Sequence, residues 1–435
     1  MDNTIQIKYN AILVTLAIKE MNNREYIDDV DSAVSELVEL AKASDIEVLG
    51  NIVQNKDAVD VTYFVGKGKV EEIKEYAERM DANLIIFNHE LSGSQIRNLE
   101  KEIGIDVIDR TMLILEIFAK RAITKEGKLQ VELAQLKYRL PRLTGLGEKL
   151  SRLGGGIGTR GPGEKKLETD KRHIQSRIYE IERELKEVTK NRAVQRAKRI
   201  KSGLPIVALV GYTNVGKSTI VNALVRVSNT YSEDKEVFVK DMLFATLDTH
   251  LRKATLPNGN EFLLTDTIGF VSRLPHALVK AFKSTLEEIG FADLLIHVAD
   301  SSDKNYFMHK ETTEKVLNEL NIYDKPILLL NNKIDKVDDS FFNTESKNQH
   351  LNISAKNEQD IYLLLEKISE YLLASYKKIE LFFPYDKSNL VSDLHRKYNN
   401  IETIYENDGI KLTLNASAED ESKYRMYILS KENHE

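Results

Sequence analysis

The residues Gly211-Tyr212-Thr213-Asn214-Val215-Gly216-Lys217-Ser218 have the types and spacing needed to wrap a chain of phosphates. Glycines let successive backbone N–H groups turn inward, and a helix opening here adds the positive end of its dipole. Lys217 would reach the β- and γ-phosphates, and the Ser218 hydroxyl would ligate Mg2+. Further along, Asp266-Thr267-Ile268-Gly269 closes an apolar run. Its carboxylate could hold the metal through water, and the Gly269 amide could sense the γ-phosphate. Alone, that pattern is common, and its plain reading is a turn. Asn332-Lys333-Ile334-Asp335 supplies a base filter. Asp335 can accept two hydrogen bonds from guanine N1 and the exocyclic amine, which adenine cannot offer, and Asn332 can bond N7. Ser354-Ala355-Lys356 would add a backbone N–H to guanine O6. In this order the four pieces describe a site that binds GTP and GDP and hydrolyses GTP.

Thr230, Thr246, Thr249 and Thr255 all lie between the phosphate loop and Asp266. Thr246, in Phe244-Ala245-Thr246-Leu247-Asp248, is the choice for closing over Mg2+ and the γ-phosphate, because it sits just before the strand that should pair with 262–265. The plainer reading is that it only begins that strand. The expected catalytic group is then Lys217, Thr246 and Gly269. Phe270 stands where many GTPases carry a water-orienting glutamine, and a phenyl ring can neither orient nor deprotonate water. Slow intrinsic turnover follows, with the water positioned by backbone, another residue or a bound partner. The Asn214 amide oxygen, beside the phosphates, could help hold K+ as a hydrolysis activator.

The elements that must carry these residues are legible in the apolar periodicity. Strands are expected over 10–18, 47–54, 62–65, 83–87 and 106–108, alternating with helices over 31–43, 69–80, 94–103 and 111–122. That reads as an α/β domain over 1–125 with a largely parallel sheet. Leu129, Leu133, Leu136 and Leu140, then Ile174, Ile178, Ile181, Leu185 and Val188, repeat every three or four residues. Both runs read as helices with a narrow apolar seam, zipped into an antiparallel hairpin over 126–203. Between them, 141–164 is too rich in Gly and Pro to continue either helix, so a long loop is expected at the tip. A P-loop GTPase domain over 204–373 has strands over 206–210, 261–265, 294–298, 326–330 and 350–353 and a final helix over 360–376. A small α+β domain over 374–435 has strands over 379–383, 402–406 and 410–415 and a helix over 388–398. The fold class is thus α/β, with the GTPase domain preceded by an α/β domain and the hairpin.

Composition narrows the setting. No run approaches the roughly 20 apolar residues needed to span a bilayer, and the start MDNTIQIKYN lacks a signal-peptide pattern, so a cytoplasmic protein without membrane partners is expected. A monomer is expected as well. With no Cys, thiol nucleophiles, disulfides and zinc–thiolate sites are excluded. The formal charge of −6 hides an asymmetry: from Lys120 to Lys201, 23 Lys or Arg stand against 10 Asp or Glu. A helix can carry such charge as a solvated face, so position has to decide its meaning.

These residues resemble the HflX family of ribosome-associated GTPases, within the larger Obg-HflX group. The most specific matches are GKLQVELAQLKY from Gly127 to Tyr138, LGGGIGTRGPGE from Leu153 to Glu164, and FATLD from Phe244 to Asp248. DTIGF from Asp266 to Phe270, Leu274-Pro275-His276, and STLEE from Ser284 to Glu288 complete the set. The resemblance implies binding to the large (50S) ribosomal subunit near its catalytic centre and, in some members, splitting of stalled or hibernating ribosomes. Two departures stand out. Thr249-His250 replace the usual Pro-Thr after Asp248, beside the switch, and Lys165 replaces the usual Thr after Glu164, adding positive charge.

Position now favours a nucleic-acid role for the basic segment. Arg139, Arg142, Lys149, Arg152, Arg160, Lys165 and Lys166 cluster in and around the Gly-rich tip, where glycine allows close backbone approach and Arg and Lys can meet ribosomal RNA phosphates. Gly66-Lys67-Gly68-Lys69 reads as a loop entering a helix, with a phosphate contact and a second adenine-nucleotide role as the sharper alternative. His276 and His297 lack metal-ligand spacing and read as packed or polar-surface residues. Two rivals remain open: a signalling switch with a protein effector, the hairpin being only a docking arm, and an ATP-driven RNA-remodelling enzyme.

Overall fold

The computed structural model describes residues 8–18, 29–143, 162–202, 204–228, 251–267, 269–273, 282, 286–322, 325–337, 350–374, 376–398 and 401–429. The chain forms two compact units that divide after Lys190, inside a long helix. In the first, β1 (Asn10–Ile18), β2 (Glu47–Lys56), β3 (Leu84–Phe87) and β4 (Asp106–Asp109) form a parallel sheet of order β2-β1-β3-β4. Helices α1 (Val30–Ala43), α2 (Lys67–Met80), α3 (Gly93–Ile103) and α4 (Arg110–Arg121) alternate with the strands. Three of the four starts have a side-chain cap. The side chains of Asp29 and Asp109 cap α1 and α4, and Ser92 with Gln95 forms a capping box on α3. Ile12, Val14, Phe64, Ile73, Ile85, Phe87 and Leu99 share one core.

The strand expected over 62–65 is absent. The Asp60 carboxylate instead accepts the N–H groups of Thr62 (2.8 Å) and Tyr63 (3.0 Å), the backbones of Asp60 and Phe64 pair, and Phe64 takes a left-handed φ of 70°. A side-chain turn has overridden the β propensity of Thr, Tyr, Phe and Val. Those same bonds hold the Asp60 carboxyl below its ordinary pKa, Tyr63 N–H being the largest cause.

The hairpin helices are α5 (Lys125–Leu143) and α6 (Pro162–Ser202). Leu129 and Leu133 pack on Ile178 and Ile181, with Leu136, Leu140, Ile174 and Leu185 at the margins. Ion pairs join Lys125 to Glu184 and Glu132 to Arg177, so the helices run in opposite directions. Contrary to expectation, α5 continues through Pro141, and α6 opens at Pro162, inside the stretch read as loop. Tertiary bonds hold the last turn of α5: Arg142 donates to the carbonyls of Tyr138 and Leu91, while its own carbonyl accepts from Arg97. Proline as the first residue of α6 loses nothing, because that N–H has no partner within a helix.

In the second unit, β5 (Ile206–Gly211), β6 (Leu251–Thr255), β7 (Glu261–Asp266), β8 (Leu294–Asp300), β9 (Ile327–Asn332) and β10 (His350–Asn352) form a sheet of order β10-β9-β8-β5-β7-β6. All its pairings are parallel except β6 with β7, where Leu251 faces Thr265. Helices α7 (Lys217–Val227), α8 (Tyr306–Glu319) and α9 (Glu358–Leu373) belong to it. The helix expected to reach residue 376 stops at Leu373. Tyr376 is claimed by β11 (Tyr376–Pro384), where it pairs with Ser417 of an antiparallel sheet. That small sheet has the order β11-β13-β12, with α10 (Ser388–Lys397), β12 (Glu402–Glu406), β13 (Gly409–Ser417) and α11 (Ala418–Lys423). Among the described residues, no helix is long and apolar enough to cross a membrane.

Candidate functional site: a nucleotide cradle at the ends of four strands

Gly211, Asp266 and Asn332 are the last residues of β5, β7 and β9, and Ser354 follows β10 by two positions. Parallel strands deliver all four sequence motifs to one edge of the sheet, the edge where open α/β sheets bind ligands. The strand run Ile206 to Gly211 is almost fully buried, so the phosphate loop leaves a fixed platform and enters α7 at Lys217.

Lys217 is buried, and its ammonium donates to the carbonyls of Gly211 (3.1 Å) and Tyr212 (2.6 Å). Burial pulls its pKa down to about 8, with the Asp266 carboxylate pushing the other way. The Ser218 hydroxyl donates to Asp266 Oδ2 at 2.5 Å. A hydroxyl and a carboxylate in contact form the oxygen donor set of a hard cation such as Mg2+. No group of three or more His, Asp or Glu side chains that could hold a metal converges among the described residues. Thr267 is turned away from the cradle, its hydroxyl donating to Leu209 O at 2.6 Å. Phe270 is 1% exposed, and its N–H and carbonyl bond Gly211 O (3.1 Å) and Thr213 N (2.8 Å). The ring that replaces a water-orienting glutamine is therefore core, and only its backbone meets the phosphate loop.

Asn332 fastens two other loops to its own. Its amide nitrogen donates to Val215 O (2.8 Å), and its amide oxygen accepts from Ala355 N (3.0 Å). Gly216, at φ 95°, lies so close that an added Cβ would stand 2.4 Å from that nitrogen. Asp335 accepts from the Ser354 hydroxyl (2.8 Å), with Lys356 Nζ 3.5 Å from its other oxygen. Both hold its carboxyl below the ordinary range, the Ser354 bond first, so it presents acceptor oxygens. Lys333, at φ 63°, spans from Asn214 O (2.8 Å) to Asp300 (2.7 Å). Asn214, also left-handed at φ 61°, leaves its side chain exposed at the loop. Phe244, Ala245, Thr246, Leu247, Asp248 and Ile268 lie outside the described residues, as do Lys149, Arg152, Arg160 and His276.

Sequence reading missed Asp300, the Lys333 partner, and the buried chain from Tyr306 through Asn331 to Asn352, both of whose bonds are 2.8 Å. Asp300 did leave a signal, since it too ends an apolar strand run. Arg142 requires a correction. Its guanidinium sits over the Tyr138 ring at 3.4 Å and reaches Glu90 and the buried Asp109. It is committed to holding α5 on the sheet, because a buried carboxylate needs a nearby cation, and so it is not available to RNA. Arg139 is exposed, and Lys165 and Lys166 lie in the first turns of α6. Gly66 caps α2 without a side-chain bond and donates to Gln54, while Lys69 pairs with Glu72. This is a loop entering a helix.

His297 on β8 is buried, and burial first, then Lys310 and Lys217, lowers its pKa to about 4. The unfolded chain protonates near pH 6.5, whereas the fold keeps the imidazole neutral until about 4. The penalty is therefore absent above 6.5 and grows as pH falls toward 4, to at most about 3 kcal/mol. His297→Gln should flatten the fall in thermal stability between those pH values, and an unchanged slope would reject the assignment.

Known proteins resemble this chain along most of its length. Residues 31–119 match the family described as GTP-binding GTPase N-terminal, 121–199 the GTP-binding GTPase Middle Region, and 206–333 the 50S ribosome-binding GTPase. GTPase HflX of Caldanaerobacter subterraneus subsp. tengcongensis is 45% identical over 430 residues, spanning 99% of this chain and 96% of that protein. GTPase HflX of Alkalihalophilus pseudofirmus is 50% identical over 350 residues, 80% of each. A crystal structure of a GTP-binding protein from Sulfolobus solfataricus in complex with GDP is 25% identical, covers 83% of this chain and 98% of that one, and superposes with a TM-score of 0.42.

Proposed function

Because the chain belongs to the HflX family of GTPases, and so hydrolyses GTP, we propose that its nucleotide state controls docking on the large ribosomal subunit. Docking would serve to dissociate stalled or hibernating ribosomes or to sustain ribosome function under stress. The observation that carries this is the hairpin, whose two zipped helices flank in sequence the Gly-rich basic stretch. Arg139, Lys149, Arg152, Arg160, Lys165 and Lys166 would meet ribosomal RNA backbone there, where the attraction weakens with salt. Mg2+ would be held by Ser218 and Thr246, with Asp266 acting through water. K+ beside Asn214 would support hydrolysis, which is slow until a partner positions the water that Phe270 cannot. The domains would divide as the motifs do: 1–125, 126–203, 204–373 and 374–435.

Co-sedimentation with 50S subunits in a non-hydrolysable GTP analogue tests this. Changing Arg152 and Arg160 to Ala should weaken binding about tenfold or more and flatten its salt dependence, leaving GTP affinity intact. In the same preparation, subunits should raise the GTPase rate, and K+ should exceed Na+. Binding that ignores both arginines and the nucleotide would sink the reading in favour of a protein effector.

A further inference from the structure

Tyr212 is the second residue of the phosphate loop, yet its side chain serves another segment. The ring is 4% exposed and stacks on the His309 imidazole of α8, with centroids 3.7 Å apart and planes within 14°. His309 in turn lies 3.6 Å from Asp303. So held, the Tyr212 hydroxyl accepts the backbone N–H of Ser272 at 2.6 Å. Ser272 is three residues beyond Gly269, in the segment that reports on the γ-phosphate.

That segment lies closed against the loop. Phe270 bonds Gly211 and Thr213 through its backbone, so the Thr213 N–H meets a carbonyl oxygen, the kind of acceptor a phosphate would otherwise supply. Gly269 is pressed against the same place. A Cβ there would stand 2.7 Å from Thr213 Cγ2, 2.8 Å from Thr213 Cα and 3.1 Å from Lys217 Nζ. Lys217 points its ammonium at two loop carbonyls. A third phosphate needs both Lys217 and the space that Gly269 and Phe270 hold, so the segment has to lift to admit it. A diphosphate calls on Lys217 as well, but not on that space.

We propose that Tyr212 sets the preference between diphosphate and triphosphate, its hydroxyl latching the 269–272 segment in the closed arrangement through Ser272. The latch rests on the nucleotide assignment alone and is independent of any ribosomal role. Tyr212→Phe keeps the ring that stacks on His309 and removes the hydroxyl that accepts from Ser272, so the fold should survive.

Dissociation constants of full-length Tyr212→Phe for GDP and for a non-hydrolysable GTP analogue, both with Mg2+, read the effect. The net value of one hydrogen bond corresponds to a tightening of about three- to tenfold for the analogue, with GDP unchanged. Hydrogen exchange at the Ser272 amide reads the latch itself. In the wild type it should be slow with GDP and fast with the analogue, and in Tyr212→Phe fast with both. Equal shifts for the two nucleotides, no gain for the analogue, or a Ser272 amide equally protected in both wild-type complexes would overturn the proposal.

Discussion

Asp335→Asn is expected to weaken GTP and GDP binding by about a thousandfold and to create a site for xanthine nucleotides. The carboxylate receives the Ser354 hydroxyl on one oxygen and is held ionised by that bond and by Lys356, so it presents acceptors only. Guanine offers two donors, N1–H and the 2-amino group. An Asn in the same place presents one acceptor and one donor, and the donor faces the 2-amino group with no bond to make. Xanthine carries a carbonyl at that position and restores the pairing. Competition binding with fluorescent GDP measures both halves. GDP affinity within tenfold of wild type, or no xanthine nucleotide binding, would show that Asp335 does not read the base.

Gly216→Ala is expected to abolish nucleotide binding at micromolar protein, a loss of at least about a hundredfold, and to lower stability by about 2 kcal/mol. A left-handed φ of 95° already strains any residue with a Cβ. The second cost is specific to this fold, since the methyl would stand 2.4 Å from the Asn332 amide nitrogen. Asn332 cannot step aside without releasing Val215 and Ala355, which carry the phosphate and guanine loops. Nucleotide titration with thermal unfolding checks the pair of effects, and GDP affinity within threefold of wild type would refute the clasp.

The gathering of the four motifs at strand ends was legible because it depends on residue type and short spacing. A glycine, a lysine and a hydroxyl within eight residues of a buried strand have few other uses together, and Asp266 and Asn332 end strands of the same kind, with Asp335 just beyond. The hairpin was legible for a related reason, as a seam repeating every three or four residues describes one helix face wherever the helix lies. Boundaries were less so. Residues 62–65 have strand composition, but the Asp60 carboxylate folded them into a turn, and α5 ran through Pro141 because contacts with Leu91 and Arg97 held it.

The amino-acid sequence by itself determined which groups are available: a glycine-rich loop with a lysine and a hydroxyl, carboxylates and an amide at strand ends, a phenyl ring in place of a glutamine, and a basic glycine-rich stretch. Only the tertiary structure decided how each is used. It turned Arg142 inward to Asp109, made Asn332 a clasp to Val215 across 117 positions, and aimed the Tyr212 hydroxyl at Ser272 across 60. Spacing along a chain reports neighbours on one helix or strand, whereas a hydrogen bond or ion pair is set by distance in space, and only the fold brings such distant residues into reach.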